Sequence, residues 1–155
     1  MCNTFTPIPW SQIPDLGLYM DQVVTLVGRT YQPLYGPDIR SFLSPAMINN
    51  YVKAKLIPRP AGKKYSREQV ALLAMIVPLK QVCSMEDIRA LLALREGETV
   101  EALYESFCSC FKRTMQAIHV EAGGHDISTA MDFAIRAVSY RAACSAALNH
   151  VEKQE

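Results

Sequence analysis

Six Lys or Arg side chains fall between residues 44 and 67 with no Asp or Glu among them: Lys53, Lys55, Arg59, Lys63, Lys64 and Arg67. The chain as a whole carries a formal charge of only +1. Cations gathered in one short stretch can each neutralise a phosphate, which positions a protein on nucleic acid without reading its sequence. Just upstream stand Asn49 and Asn50. A carboxamide offers a donor and an acceptor side by side, the pattern that matches an adenine edge in the major groove. These eight residues are the predicted DNA-binding set. The plainer reading is a solvated basic surface with asparagines bonded locally.

A second group of residues invites metal chemistry: Cys108 and Cys110, with His119, His125 and Cys144 further along. On a helix, residues two apart point about 200° from one another, so the two thiols do not face one ion. No recognisable ligand spacing is present. Buried apolar thiols are the simpler expectation, and neither metal nor cofactor is predicted. The five cysteines are odd in number and form no CxxC pair, which favours reduced thiols. No phosphate-binding loop, dinucleotide fingerprint, nucleophile elbow or HExxH is present, so no enzyme activity is predicted. No apolar run is long enough to span a bilayer, and the N-terminus lacks the pattern of a secretory signal. A cytoplasmic protein that does not enter membranes is expected.

The elements that must position these residues can be read from caps and periodicity. Residues 1–14 contain Pro7, Pro9 and Pro14 and are expected as an extended arm pinned by Trp10. A helix is predicted over 16–28, capped by Asp15, and 29–42 reads as a loop. Ser44 at the N-cap and Pro45 at the first helical position predict a strong start, with a helix to about residue 55. Pro58 and Pro60 stop it. Leu56-Ile57 and Lys64-Tyr65 are expected as two short strands around Gly62, a hairpin wing over 58–65. Ser66 with Gln69 forms a capping-box pattern for a helix over 67–82, in which Pro78 must kink the helix or remove one backbone bond. Ser84 caps a fourth helix over 85–94. Two longer helices are expected over 99–120 and 128–151. The second is rich in alanine, which allows close helix approach.

Charge divides the chain. Residues 1–95 hold eleven basic and six acidic side chains, and residues 96–155 hold five and nine. A DNA-binding domain over 1–96 and a helical oligomerisation or effector region over 97–155 are predicted. The last two helices are expected either to build a four-helix arrangement between two protomers or to fold back on the first domain.

The strings SPAMINNYVKAKLIPRP and KKYSREQVALLAMIVPLKQVCSMEDIRALL resemble the DNA-binding domain of the MerR family of bacterial transcription regulators. The matching positions are Tyr51, Leu56-Ile57-Pro58, Tyr65-Ser66, and Ser84-Met85 followed by Ile88, Leu91 and Leu92. The MINNYVK string also resembles an uncharacterised bacterial domain-of-unknown-function family with a MerR-like first part. The MerR pattern has Arg, Tyr and Glu where Asn49, Asn50 and Val52 stand, and glycine where Lys55 stands. The resemblance implies a mainly α fold: a MerR-like winged helix-turn-helix with a small β-hairpin wing, followed by two long C-terminal helices. It also implies a DNA-binding transcription regulator that uses the 45–55 helix and the 58–65 wing. The expected partners are double-stranded DNA and a second copy joined through the C-terminal helices, with a small-molecule effector possible. The alternative is a protein-interaction module that keeps the winged-helix fold without binding DNA.

Overall fold

The structure, a computed structural model, describes residues 5–121 and 126–153. Its α-helices run in the order α1 Met20–Tyr35, α2 Pro45–Lys53, α3 Arg67–Leu79, α4 Met85–Leu91, α5 Val100–Glu121 and α6 Ile127–Glu152. Short 3-10 turns lie at Trp10–Gln12 and Ile39–Ser41.

Helix α3 is the centre of the core. Every residue from Gln69 to Pro78 is buried. A helix that is apolar all round must be covered on all sides. Here α1 and α5 pack against α3, and α2 packs against α1. The N-terminal segment completes the cover. Ile13 is fully buried, Phe5 lies against Tyr31 and Phe111, and the Tyr104 hydroxyl donates to the Ile8 carbonyl at 2.7 Å.

Local signals set several boundaries. The Ser44 hydroxyl accepts from the Met47 N–H, Ser66 and Gln69 cap each other reciprocally, and Ser84 and Asp87 do the same. Helix α1, however, begins at Met20 and runs to Tyr35, later at both ends than the predicted 16–28. Leu18 is withheld from the helix because its N–H and carbonyl are both bonded to Tyr65. The far end is drawn on by Tyr31, which is fully buried against α3. Gly28 lets the 3-10 turn approach: a Cβ there would come within 2.2 Å of Ile39 Cγ2.

The predicted winged helix-turn-helix with a β-hairpin wing is not what forms. Among the described residues there is no strand or sheet, only isolated bridges between Leu18 and Tyr65 and between Ala61 and Lys64. The reason lies in the two limbs. Pro58 and Pro60 have no N–H to donate to a ladder. The Pro58 carbonyl is taken by the Gln69 side chain at 2.9 Å. Tyr65, left without that partner, pairs with Leu18 at 2.8 and 3.0 Å. What remains is a tight turn, closed by the Lys64 N–H on the Ala61 carbonyl at 3.0 Å.

Helix α6 packs against α4, and its Cys144 lies beside Cys83. Arg141 donates to Asp87 at 2.8 Å. The Asp87 carboxyl is held below the ordinary value of 3.8, chiefly by the Ser84 N–H, then by the Ser84 hydroxyl, with Arg141 adding to it. A carboxyl depressed by folding stabilises the folded state above its unfolded value, and that contribution is lost as pH falls through the folded value. Thermal melting should therefore show stability falling as pH drops below about 4, with Asp87→Asn flattening this acid limb. An unchanged acid limb in the variant would assign the loss to other carboxylates.

Candidate nucleic-acid interface

Helix α2 presents two unlike faces. Ile48 and Tyr51 are buried, whereas Ala46, Asn49, Asn50 and Lys53 are exposed. Positions 46, 49, 50 and 53 share about 100° of arc on a helix of 3.6 residues per turn. The two amides and the Lys53 ammonium are thus presented together on one surface. The helix of nine residues is about 13 Å long, comparable with the width of a major groove.

The chain leaves α2 through a Schellman-type turn. The Lys55 N–H bonds the Val52 carbonyl at 3.0 Å, and the Leu56 N–H reaches back to Tyr51 at 3.0 Å. Lys55 occupies the left-handed position with φ of 59°. Glycine is the residue that adopts this conformation without a Cβ penalty. The second turn repeats the arrangement. Gly62 and Lys63 have φ of 56° and 64°, and the pair of positive values is that of a type I′ turn. Two lysines therefore stand in left-handed conformations, both in the basic segment and both exposed.

The predicted cations divide by their surroundings. Lys53, Lys55, Arg59, Lys63 and Lys64 are exposed, and Lys53, Lys55 and Arg59 line an open concavity of about 480 Å³ with Val52, Ile57 and Pro58. The Lys64 ammonium lies 5.3 Å from the centre of the Tyr19 ring. Arg67 is partly buried: its Nε donates to the Ile13 carbonyl at 2.8 Å and its guanidinium lies 5.5 Å from the Trp10 ring centre. Among the described residues, no cation of 44–67 is in an ion pair.

Three cations outside the 44–67 run, Arg40 just before it and Lys80 and Arg89 well beyond it, were missed and join this surface. Arg89 on α4 donates to the Ala54 carbonyl at 2.6 Å, beside Lys55 at the negative end of the α2 dipole. Lys80 lines a hollow with Asn50, Met47 and Gln81. Arg40 shares another with Ser44, Pro45 and Ala46 at the α2 N-terminus. Only the fold brings Lys80 and Arg89 near α2, so no spacing in the sequence could have shown them, whereas Arg40 stands four residues before Ser44.

Of the thiols, Cys83 and Cys144 are hydrogen-bonded neighbours. Cys110 is exposed, while Cys108 is half-buried with its sulfur 4.0 Å from the Ile8 carbonyl. Burial pushes the Cys108 and Cys83 thiols above their ordinary range. Among the described residues, no group of three His, Cys, Asp or Glu side chains could hold a metal ion. His125 and Cys2 lie outside the described residues, and the His119 side chain is likewise not described. No described helix is long and apolar enough to cross a membrane.

No curated protein and no solved structure was found to match the chain. Residues 8–107 match the family described as a domain of unknown function (DUF1836). The matched segment holds the N-terminal cover from Ile8 onward, α1 to α4, the basic turn and the start of α5 as far as Phe107. A relationship to MerR regulators is not part of that match, which gives the family and not a task. With about two thirds of its length in the match, the chain belongs to the DUF1836 family.

Proposed function

We propose that this protein binds duplex DNA through the exposed face of α2 and the basic turns that follow it, and acts as a transcription regulator. Asn49 and Asn50 face base edges in the major groove, where each carboxamide can pair with an adenine. Lys53, Lys55, Arg59, Lys63 and Lys64 contact phosphates on either side. The ordered resemblance of the 44–92 stretch to MerR regulators supports the placement of this helix and turn, although not a wing.

The observation that carries the reading is the pair of left-handed lysines. Glycine at either position would relieve backbone strain, costing of order 1 kcal/mol or more per residue. A charge kept at that cost, twice in one basic segment, points to work done by the ammonium groups. Replacing Lys55 and Lys63 together by glycine separates the two effects. The melting temperature should rise, because the left-handed positions are relaxed. Affinity for a random-sequence duplex, read by fluorescence anisotropy at low salt, should fall at least about tenfold, since two phosphate contacts go. Unchanged affinity, or no binding by the parent protein, defeats the proposal.

A further inference from the structure

Cys83 directly precedes the Ser84 cap of α4, and Cys144 stands on α6 three residues after Arg141. The two thiols are hydrogen-bonded to one another. Beside them the Arg141 guanidinium donates to Asp87 at 2.8 Å and also to the Ser145 hydroxyl. Positions 141, 144 and 145 share one face of α6, so this ion pair holds Cys144 against the head of α4. Cys83 is buried in the core, and Cys144 is half-buried and packs against that core. The family match separates the two: Cys83 falls within residues 8–107 and Cys144 lies beyond them. A bond between the sulfurs would staple α6 to the part of the chain that defines the family. Forming it asks for a small approach of two sulfurs already in contact, not for a new meeting of helices.

The geometry points to Cys83 and Cys144 as an oxidisable pair that closes to an intramolecular disulfide and locks α6 onto α4. The oxidant is a hydroperoxide. Cys144 is the more open of the two thiols and meets it first. Its thiolate attacks a peroxide oxygen: an S–O bond forms, the O–O bond breaks, and the alcohol leaves after taking up a proton. The Cys83 sulfur then attacks the sulfenic acid: the S–S bond forms, the S–O bond breaks, and water leaves with the proton from Cys83. The two thiols together lose two electrons, and the peroxide gains them. Burial, and then Cys144 beside it, hold the Cys83 thiol above its ordinary range, with Arg141 acting in the opposite sense. A thiol that stays protonated is a poor first nucleophile and suits the second step. Exchange with a small dithiol returns the pair to its starting state. The inference rests on the contact between α4 and α6 and is independent of whether the protein binds DNA.

The test is to treat the reduced full chain with a few equivalents of hydrogen peroxide, alkylate the remaining thiols and digest with trypsin. Cys83 and Cys144 fall in separate tryptic peptides, 81–89 and 142–153, whereas Cys108 and Cys110 share 96–112. Mass spectrometry should find 81–89 joined to 142–153, and dithiothreitol should release both. On a non-reducing gel the oxidised protein should run as a single chain. Its melting temperature should exceed that of the reduced protein by at least about 5 °C, because the bond closes a loop of about 60 residues in the unfolded chain. Cys144→Ser should lose the joined peptide and the shift, and Cys110→Ser should keep both. Three results would each overturn the inference: Cys83 and Cys144 still alkylated after peroxide, peptides joined between two chains, or a melting temperature unmoved by oxidation.

Discussion

Raising the salt from about 50 to 200 mM should lower the affinity of this protein for duplex DNA by roughly 500-fold. The figure follows from five exposed cations, Lys53, Lys55, Arg59, Lys63 and Lys64, each releasing a counterion when it meets a phosphate. With about −0.9 in logarithmic slope for each contact, five give a slope near −4.5. Arg67 is left out of the sum because its Nε is held by Ile13 and its guanidinium by Trp10. Lys63→Ala with Lys64→Ala should bring the slope to about −2.7 and weaken unrelated duplexes alike, because phosphate contacts carry no sequence information. Anisotropy titrations on two duplexes of different sequence measure both quantities. Binding indifferent to salt, or a slope unmoved by the double substitution, would place the contact elsewhere on the molecule.

What was legible in the sequence was what residues a few positions apart decide. Ser44 with Pro45, Ser66 with Gln69, and Ser84 ahead of an acidic first turn each announced a helix start, because a cap is made within one turn. The wing failed for the opposite reason. Lys64-Tyr65 has the look of a strand, but its partner is chosen by the whole fold, and the proline limb cannot donate. Leu18 takes the place, and in doing so it also displaces the start of α1. The candidate surface divided in the same way. Its cations within 53–64 were visible as a run, whereas Lys80 and Arg89 reach α2 only after the chain has folded. The left-handed backbone of Lys55 and Lys63 left one trace in the sequence, a lysine at 55 where the MerR pattern that the stretch resembles has glycine. A lysine does not by itself announce positive φ.

Tyr31→Phe should destabilise the protein by about 1–3 kcal/mol, and Pro78→Ala should recover most of that loss. Pro78 lies inside α3 and has no N–H, so the Ala74 carbonyl, four residues back, loses its helical donor. That carbonyl belongs to a fully buried residue of the core, where an unpaired acceptor is costly. The Tyr31 hydroxyl of α1 donates to it. Burial holds the Tyr31 phenol far above its ordinary value, so it remains a donor throughout the working pH range. Phenylalanine keeps the ring, its contact with Phe5 and its place against α3, and removes the donor alone. Alanine at position 78 returns a backbone N–H in register with Ala74, so it should matter far more in the Tyr31→Phe background than in the parent. Urea unfolding of the four proteins gives the coupling as a double-mutant cycle, expected at about 1 kcal/mol or more. Additive effects would mean that the Tyr31 hydroxyl is not the substitute for the missing helical bond. A measured coupling would show why a proline is tolerated in the most buried helix of the fold: α1 supplies the hydrogen bond that α3 cannot make for itself.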